Sequence, residues 1–217
     1  MKTNIIAAAL FVATACSGAN AALTVQTTDF LAGYTNYNGF EGMGSTSSFT
    51  GPYTEGGITV EYIGTASIWS DSQAAEGNYS WYPNGGGTGY TRITFGGPIN
   101  AVEFQAGSGW FGTADSLQYD VLLGAVSVGS GQIAGLSNYT GFKFYGFSGT
   151  SFDEVRLQAQ QFSVPGFDAI AYEAGAYDAI NFGGSTSAVP EPAGLALMIT
   201  GFAIGAIARR RKALAVA

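Results

Sequence analysis

Leu117-Gln118-Tyr119-Asp120-Val121-Leu122-Leu123 decides the fold class of this chain. Leu117, Tyr119, Val121 and Leu123 recur at every second position, with Gln118 and Asp120 between them. A period of two puts the first set on one side of an extended strand and the second on the other. The same alternation returns on either side of this stretch. Ile58, Val60 and Tyr62 oppose Thr59 and Glu61; Ile93 and Phe95 oppose Arg92 and Thr94. Val102 and Phe104 oppose Glu103 and Gln105, Phe142 and Phe144 flank Lys143, and Val155, Leu157 and Ala159 oppose Arg156 and Gln158. Residues 23–27, 125–128, 170–172 and 179–182 complete the set. About ten short strands divided by Gly, Ser, Asn and Pro predict an all-β domain over 22–182, a two-sheet antiparallel sandwich of jelly-roll-like type. Glu61 and Glu103 fall on outward faces in this reading.

Composition bounds the chemistry. Fourteen of the fifteen Asp and Glu lie within 22–188, but only three of the eight Lys and Arg do (Arg92, Lys143 and Arg156), a net charge of −11 for that segment. Nucleic acid is a poor partner for such a surface. Neutral glycans or cation-bridged anionic polymers are compatible with it. The chain has no histidine, which removes Ser-His-Asp, Cys-His and His-zinc chemistry. Its sole cysteine is Cys16, so no disulfide is expected in the exported part.

The two ends are addresses. Lys2, the apolar run 5–15 and Ala19-Asn20-Ala21 read as a signal peptide over 1–21, with Ala22 as the mature start. The Sec translocon and signal peptidase are the implied partners. An uncleaved anchor and a lipoprotein signal acylated at Cys16 are the rival readings. At the other end, 183–188 reads as a flexible linker. It is followed by Val189-Pro190-Glu191-Pro192, an uncharged run over 193–208, and Arg209-Arg210-Arg211-Lys212, with a cytoplasmic tail at 213–217. As a helix, 193–208 reaches about 24 Å, short of the roughly 30 Å hydrocarbon core. Local thinning and snorkelling arginines would let it span as a transmembrane helix. Basic residues after it stay cytoplasmic, which places the upstream domain outside the inner membrane.

Those three parts in order resemble the PEP-CTERM sorting signal of Gram-negative bacteria, over about the last tenth of the chain. The matching residues are Val189, Pro190, Glu191 and Pro192, the helix with Gly201-Phe202, and Arg209, Arg210 and Arg211. The resemblance implies reading by an exosortase, removal of the helix, and delivery to a cell surface or extracellular matrix rich in exopolysaccharide, as in a biofilm. Residues 213–217 extend beyond where many such tails stop. An ordinary single-pass anchor is the rival reading of the same run, and the full Pro-Glu-Pro pattern favours the sorting signal over it.

Within the domain, Tyr79, Trp81, Tyr82 and Tyr90 surround a glycine-rich turn and are candidates for stacking on sugar rings. The preferred reading makes them core, covering one end of the sandwich, since aromatic rings usually bury most of their area, and Trp69 and Trp110-Phe111 pose the same question. Asp153-Glu154, Glu61 and Glu103 are the carboxylates a glycoside hydrolase or lyase would need across a cleft. Solvated surface carboxylates are the simpler reading. A structural calcium would draw on Asp71, Asp115, Asp153, Asp168 and Asp178, though no EF-hand spacing or nonapeptide repeat is present. Asn78-Tyr79-Ser80 and Asn138-Tyr139-Thr140 fit the glycosylation sequon by chance. The expected function is a non-enzymatic exported surface or matrix protein without a cofactor. A carbohydrate-binding module is the first alternative, and a carboxylate-dependent hydrolase or lyase the second.

Overall fold

The computed structural model of the protein describes residues 22–70, 74–84, 89–108, 115–136, 141–160, 175–183 and 185–186. The expected signal peptide over 1–21 and the expected sorting signal over 189–212 lie outside these residues. No helix among the described residues is long and apolar enough to cross a membrane.

The described chain is all-β and antiparallel. In order it forms β1 (Thr24–Gln26), β2 (Leu31–Ala32), β3 (Asn36–Asn38), β4 (Tyr53–Glu55), β5 (Ile58–Ile63), β6 (Ser67–Trp69) and β7 (Tyr82–Asn84). It continues through β8 (Tyr90–Ser108), β9 (Asp115–Leu123), β10 (Val126–Leu136), β11 (Lys143–Gln160), β12 (Gly175–Phe182) and β13 (Ser185–Thr186).

Two of these strands are far longer than the alternation suggested: β8 has 19 residues and β11 has 18. Each passes through both layers. The front halves pair as Thr91↔Leu157 to Thr94↔Glu154, the back halves as Ala101↔Ser148 to Ala106↔Lys143. Between them the ladder slips twice, once at Gly96-Gly97-Pro98, where proline has no N–H to offer, and once where residues 149–151 of β11 bulge opposite Asn100. The front layer then runs β4-β5-β8-β11-β9-β10, and the back layer β3-β12-β8-β11-β1. Rings meet across the interior: Tyr119 of the front lies 4.9 Å from Phe147 of the back, and Phe95 lies 5.2 Å from Phe182. The architecture is thus a sandwich whose two sheets are one hydrogen-bonded sheet folded over. Two short pairs, β6–β7 and β2–β13, sit outside it.

Inward residues match the alternation in most strands. Ile58, Val60, Ile93, Val102, Phe104, Val155 and Leu157 are fully buried. Three local expectations change. In β11 the core positions are Tyr145 and Phe147, and Phe142 and Phe144 are only half-buried on the other face. Leu123 is exposed while Leu122 is buried, because the β9–β11 ladder ends at the Leu122↔Glu154 pair and Leu123 projects past it. Ser185 and Thr186, expected in a flexible linker, pair with Ala32 and Leu31.

Candidate functional site

Alternation along five strands builds the outer face of the front layer. Residues in register across it form a row: Glu61 of β5, Arg92 of β8, Arg156 of β11, Asp120 of β9 and Ser130 of β10. One step along, Tyr90, Gln158, Gln118 and Gln132 make a second row; Thr59, Thr94 and Glu154 lie on the other side of the first. All of these residues are partly solvent-exposed. Strands spaced about 4.8 Å apart make a face of about 19 Å across the five.

The face is pre-organised by its own contacts. Arg92 pairs with Glu61, and Arg156 Nε donates to Glu154 Oε1 at 2.5 Å. That hydrogen bond raises the Arg156 pKa above its ordinary value. The Arg156 guanidinium also lies 5.4 Å from the centre of the Tyr90 ring. Gln158 Nε2 donates to the Gly89 carbonyl at 2.8 Å, and Ser127 Oγ to Asp120 Oδ1 at 2.6 Å. Two of the three basic side chains of residues 22–188 therefore stand side by side on one face, each held by a carboxylate. The sequence pattern places both on outward faces but does not single them out as site residues. The available signal was that Arg92 and Arg156 both occupy outward positions of alternating strands.

The aromatic candidates are distributed differently from the sugar-binding expectation. Trp81 has no exposure: its backbone bridges to Tyr177 at 2.9 Å in both directions, and its ring meets Phe40 and Phe49 at 6.0 and 6.1 Å. Its indole N–H donates to Thr91 Oγ1 at 3.3 Å. Tyr82 is also buried, so neither ring is presented to a ligand, and the core reading holds for this pair. Tyr79 is half-buried against the core. Tyr90 alone of the four belongs to the front face. Trp69 is 38% exposed at the end of β6, and Trp110-Phe111 lie outside the described residues.

The carboxylates are dispersed. Glu61 and Glu154 are paired with arginines on the front face, and Asp153 accepts the Gly124 N–H at 3.0 and 3.1 Å. Glu103 lies on the outer face of the other layer and is buried, not solvated. It accepts the Phe30 and Leu31 N–H groups at 2.6 and 3.2 Å and faces Asn181 Nδ2. No two of these four face each other across a cleft. Asp178, also on that back face, is fully buried and accepts N–H groups from Ala75, Glu76 and Ala179 at 2.7–2.9 Å. Burial pushes its carboxyl up to about 7, against the three donations, which favour the anion. Among the described residues no group of three His, Cys, Asp or Glu could hold a metal ion. Of the calcium candidates, Asp153 and Asp178 direct their oxygens at N–H donors; Asp71 and Asp168 lie outside the described residues.

No family model matches the chain, and no curated protein matches it. The solved structures similar to it include two domains of one protein. One is the CBM22-1 xylan-binding domain of Paenibacillus barcinonensis Xyn10C, at 13% identity and a TM-score of 0.37, over 73% of this chain and all of that one. The other is the tandem CBM22-1-CBM22-2 domain of the same protein, at the same identity and TM-score, over 76% of this chain and half of that one. Likeness this slight fixes no ligand.

Proposed function

We propose that the domain over 22–182 is a non-catalytic carbohydrate-contact module, a jelly-roll-like sandwich delivered to the cell surface or matrix by the PEP-CTERM tail. One observation carries the contact reading: the registered row Glu61–Arg92–Arg156–Asp120, flanked by Tyr90 and three glutamines. A sugar hydroxyl both donates and accepts, so it suits a face that alternates guanidinium, carboxylate and amide groups. A ring with its C–H face against Tyr90 adds apolar contact at the edge. The dispersal of Glu61, Glu103, Asp153 and Glu154 favours contact over hydrolysis.

The test is retention on a panel of neutral and acidic polysaccharides, with wild type, Arg156→Ala and Tyr90→Ala. Arg156→Ala is expected to weaken retention at least tenfold with an unchanged melting temperature. A wild type retained by no polysaccharide would sink the contact reading. Delivery is tested separately: a tagged chain with Pro190-Glu191-Pro192 replaced by alanines should stay in the inner membrane. Equal surface appearance of the two would reject the sorting reading.

A further inference from the structure

Arg92 and Arg156 are direct cross-strand neighbours on the front face, two like charges opposite each other in the β8–β11 ladder. Such a pair is unfavourable by itself. Carboxylates offset it on both sides. Glu61 holds the Arg92 guanidinium through Nη2, and Glu154 holds Arg156 through Nε at 2.5 Å. Asp120 stands opposite Arg156 in the β11–β9 ladder. Along these rows three carboxylates thus stand against two guanidiniums. Lys143, the third basic residue of 22–188, lies on the back half of β11, outside the rows. That segment as a whole carries −11. Both ion pairs are open to a ligand, with their four side chains 15–37% exposed.

A uronate and a neutral sugar meet this face differently. An ionised carboxylate accepts hydrogen bonds and donates none. To reach Arg92 or Arg156 it must lie beside Glu61 or Glu154, which already hold them, with Asp120 next in the row. Anions brought together on an acidic surface repel. A neutral hydroxyl pair meets no such conflict. One hydroxyl accepts from a guanidinium N–H that the protein carboxylate does not use, its neighbour donates to that carboxylate, and the ion pair stays intact. The adjoining row of Gln158, Gln118 and Gln132 is uncharged as well. We infer that the front face selects neutral polysaccharide and rejects uronate polymers, with Glu61 and Glu154 setting the selection; this rests on the carbohydrate-contact reading. The paired arginines then act as donors to sugar hydroxyls and not as an anion site.

The experiment uses the full chain and matched polymers that differ in charge. A soluble β-glucan and a galactomannan are each set beside their own derivative with primary hydroxyls oxidised to carboxylates, and polygalacturonate beside its methyl ester. Dissociation constants are measured in low salt, with a chelator and again with added calcium. Wild type should hold the neutral member about tenfold more tightly in each pair it binds, a ratio that shrinks in about 1 M salt as the repulsion is screened. Glu61→Gln/Glu154→Gln should bring the ratio close to one by strengthening the charged member. Asp29→Asn/Glu55→Gln removes the same charge away from the rows and should keep the wild-type ratio. Equal or tighter binding of a charged member by wild type, with or without calcium, would overturn the selection. An unchanged ratio in the Glu61/Glu154 variant, or the same change in the Asp29/Glu55 variant, would overturn the role of Glu61 and Glu154. A wild type that binds no member of any pair is a separate result, which sinks the contact reading and this inference with it.

Discussion

The two outer faces of this sandwich are built by the same rule and end in opposite states. On the front, Glu61, Arg92, Arg156 and Glu154 face solvent and neutralise each other in pairs. On the back, Glu103, Gln105, Asp178 and Asn181 occupy equivalent outward positions of β8 and β12 and are buried. The segments around Phe30–Leu31 and Ala75–Glu76 lie over them, and the carboxylates hold those segments by their backbone N–H groups. Glu76 reaches down to Gln105 and Tyr37, and Glu41 holds the next turn through Asn78 and Tyr79. The lesson is that an outward polar residue is a contact group only if no other part of the chain covers it. Back-face acids are fasteners, and front-face ions remain available to a ligand.

The largest effect should come from Asp178. Its carboxyl is raised from 3.8 to about 7 by burial. Between those values the folded protein keeps a proton that the unfolded chain has released. Stability therefore falls as pH rises from about 4 to above 7, by up to about 4 kcal/mol if the whole shift is expressed. Urea melts of wild type and Asp178→Asn across that range test it. The Asn variant should flatten the profile, while Glu61→Gln on the front should leave it unchanged. A wild-type profile already flat between pH 4 and 8 would break the contrast between the faces.

Glu103→Ala comes next. It leaves the Phe30 and Leu31 N–H groups without their acceptor beneath a covered face, at a cost of about 2–3 kcal/mol. Equilibrium unfolding measures it, and hydrogen exchange should speed at Phe30 and Leu31 first. Loss of less than about 0.5 kcal/mol would mean that the covering segment opens easily to water.

How much of this was legible depended on how far each fact reaches along the chain. Thr59 against Val60, or Arg92 against Ile93, is settled by the residue's own strand, so alternation found the front face. Glu103 and Gln105 follow the same local pattern, but their burial depends on Phe30 and Glu76, distant in sequence. Trp81 sits among Tyr, Asn and Gly as a binding loop would, and its bridge to Tyr177 and its ring contacts with Phe40 and Phe49, distant in sequence, make it core. β11 looked like two strands because Ser148-Gly149-Thr150 breaks its alternation, and β8 because Gly96-Gly97-Pro98 reads as a turn. It is a bend within one strand, since Ile99 beyond it still pairs with Phe152.

The turn of the β9–β10 hairpin gives a smaller effect. Ala125 holds φ +67 beside Gly124 at +55, a left-handed pair that suits glycine better than alanine. Ala125→Gly should relieve about 1 kcal/mol of strain and return part of it as chain entropy. A rise in melting temperature of a degree or two is expected. A fall would show that the alanine methyl holds the exposed Leu123–Val126 tip in place.

The smallest effect belongs to the Arg92–Glu61 pair, and it sharpens the comparison most directly. Both side chains are partly exposed, so solvent and salt screen their attraction, and such pairs contribute about 0–1 kcal/mol. A double-mutant cycle with Arg92→Ala and Glu61→Ala should give a coupling of about 0.5 kcal/mol that vanishes by 1 M salt. A coupling of several kcal/mol, insensitive to salt, would mean that this pair is sealed from water as Asp178 is. The front face would then be a second covered surface, and its charges would be fasteners as well.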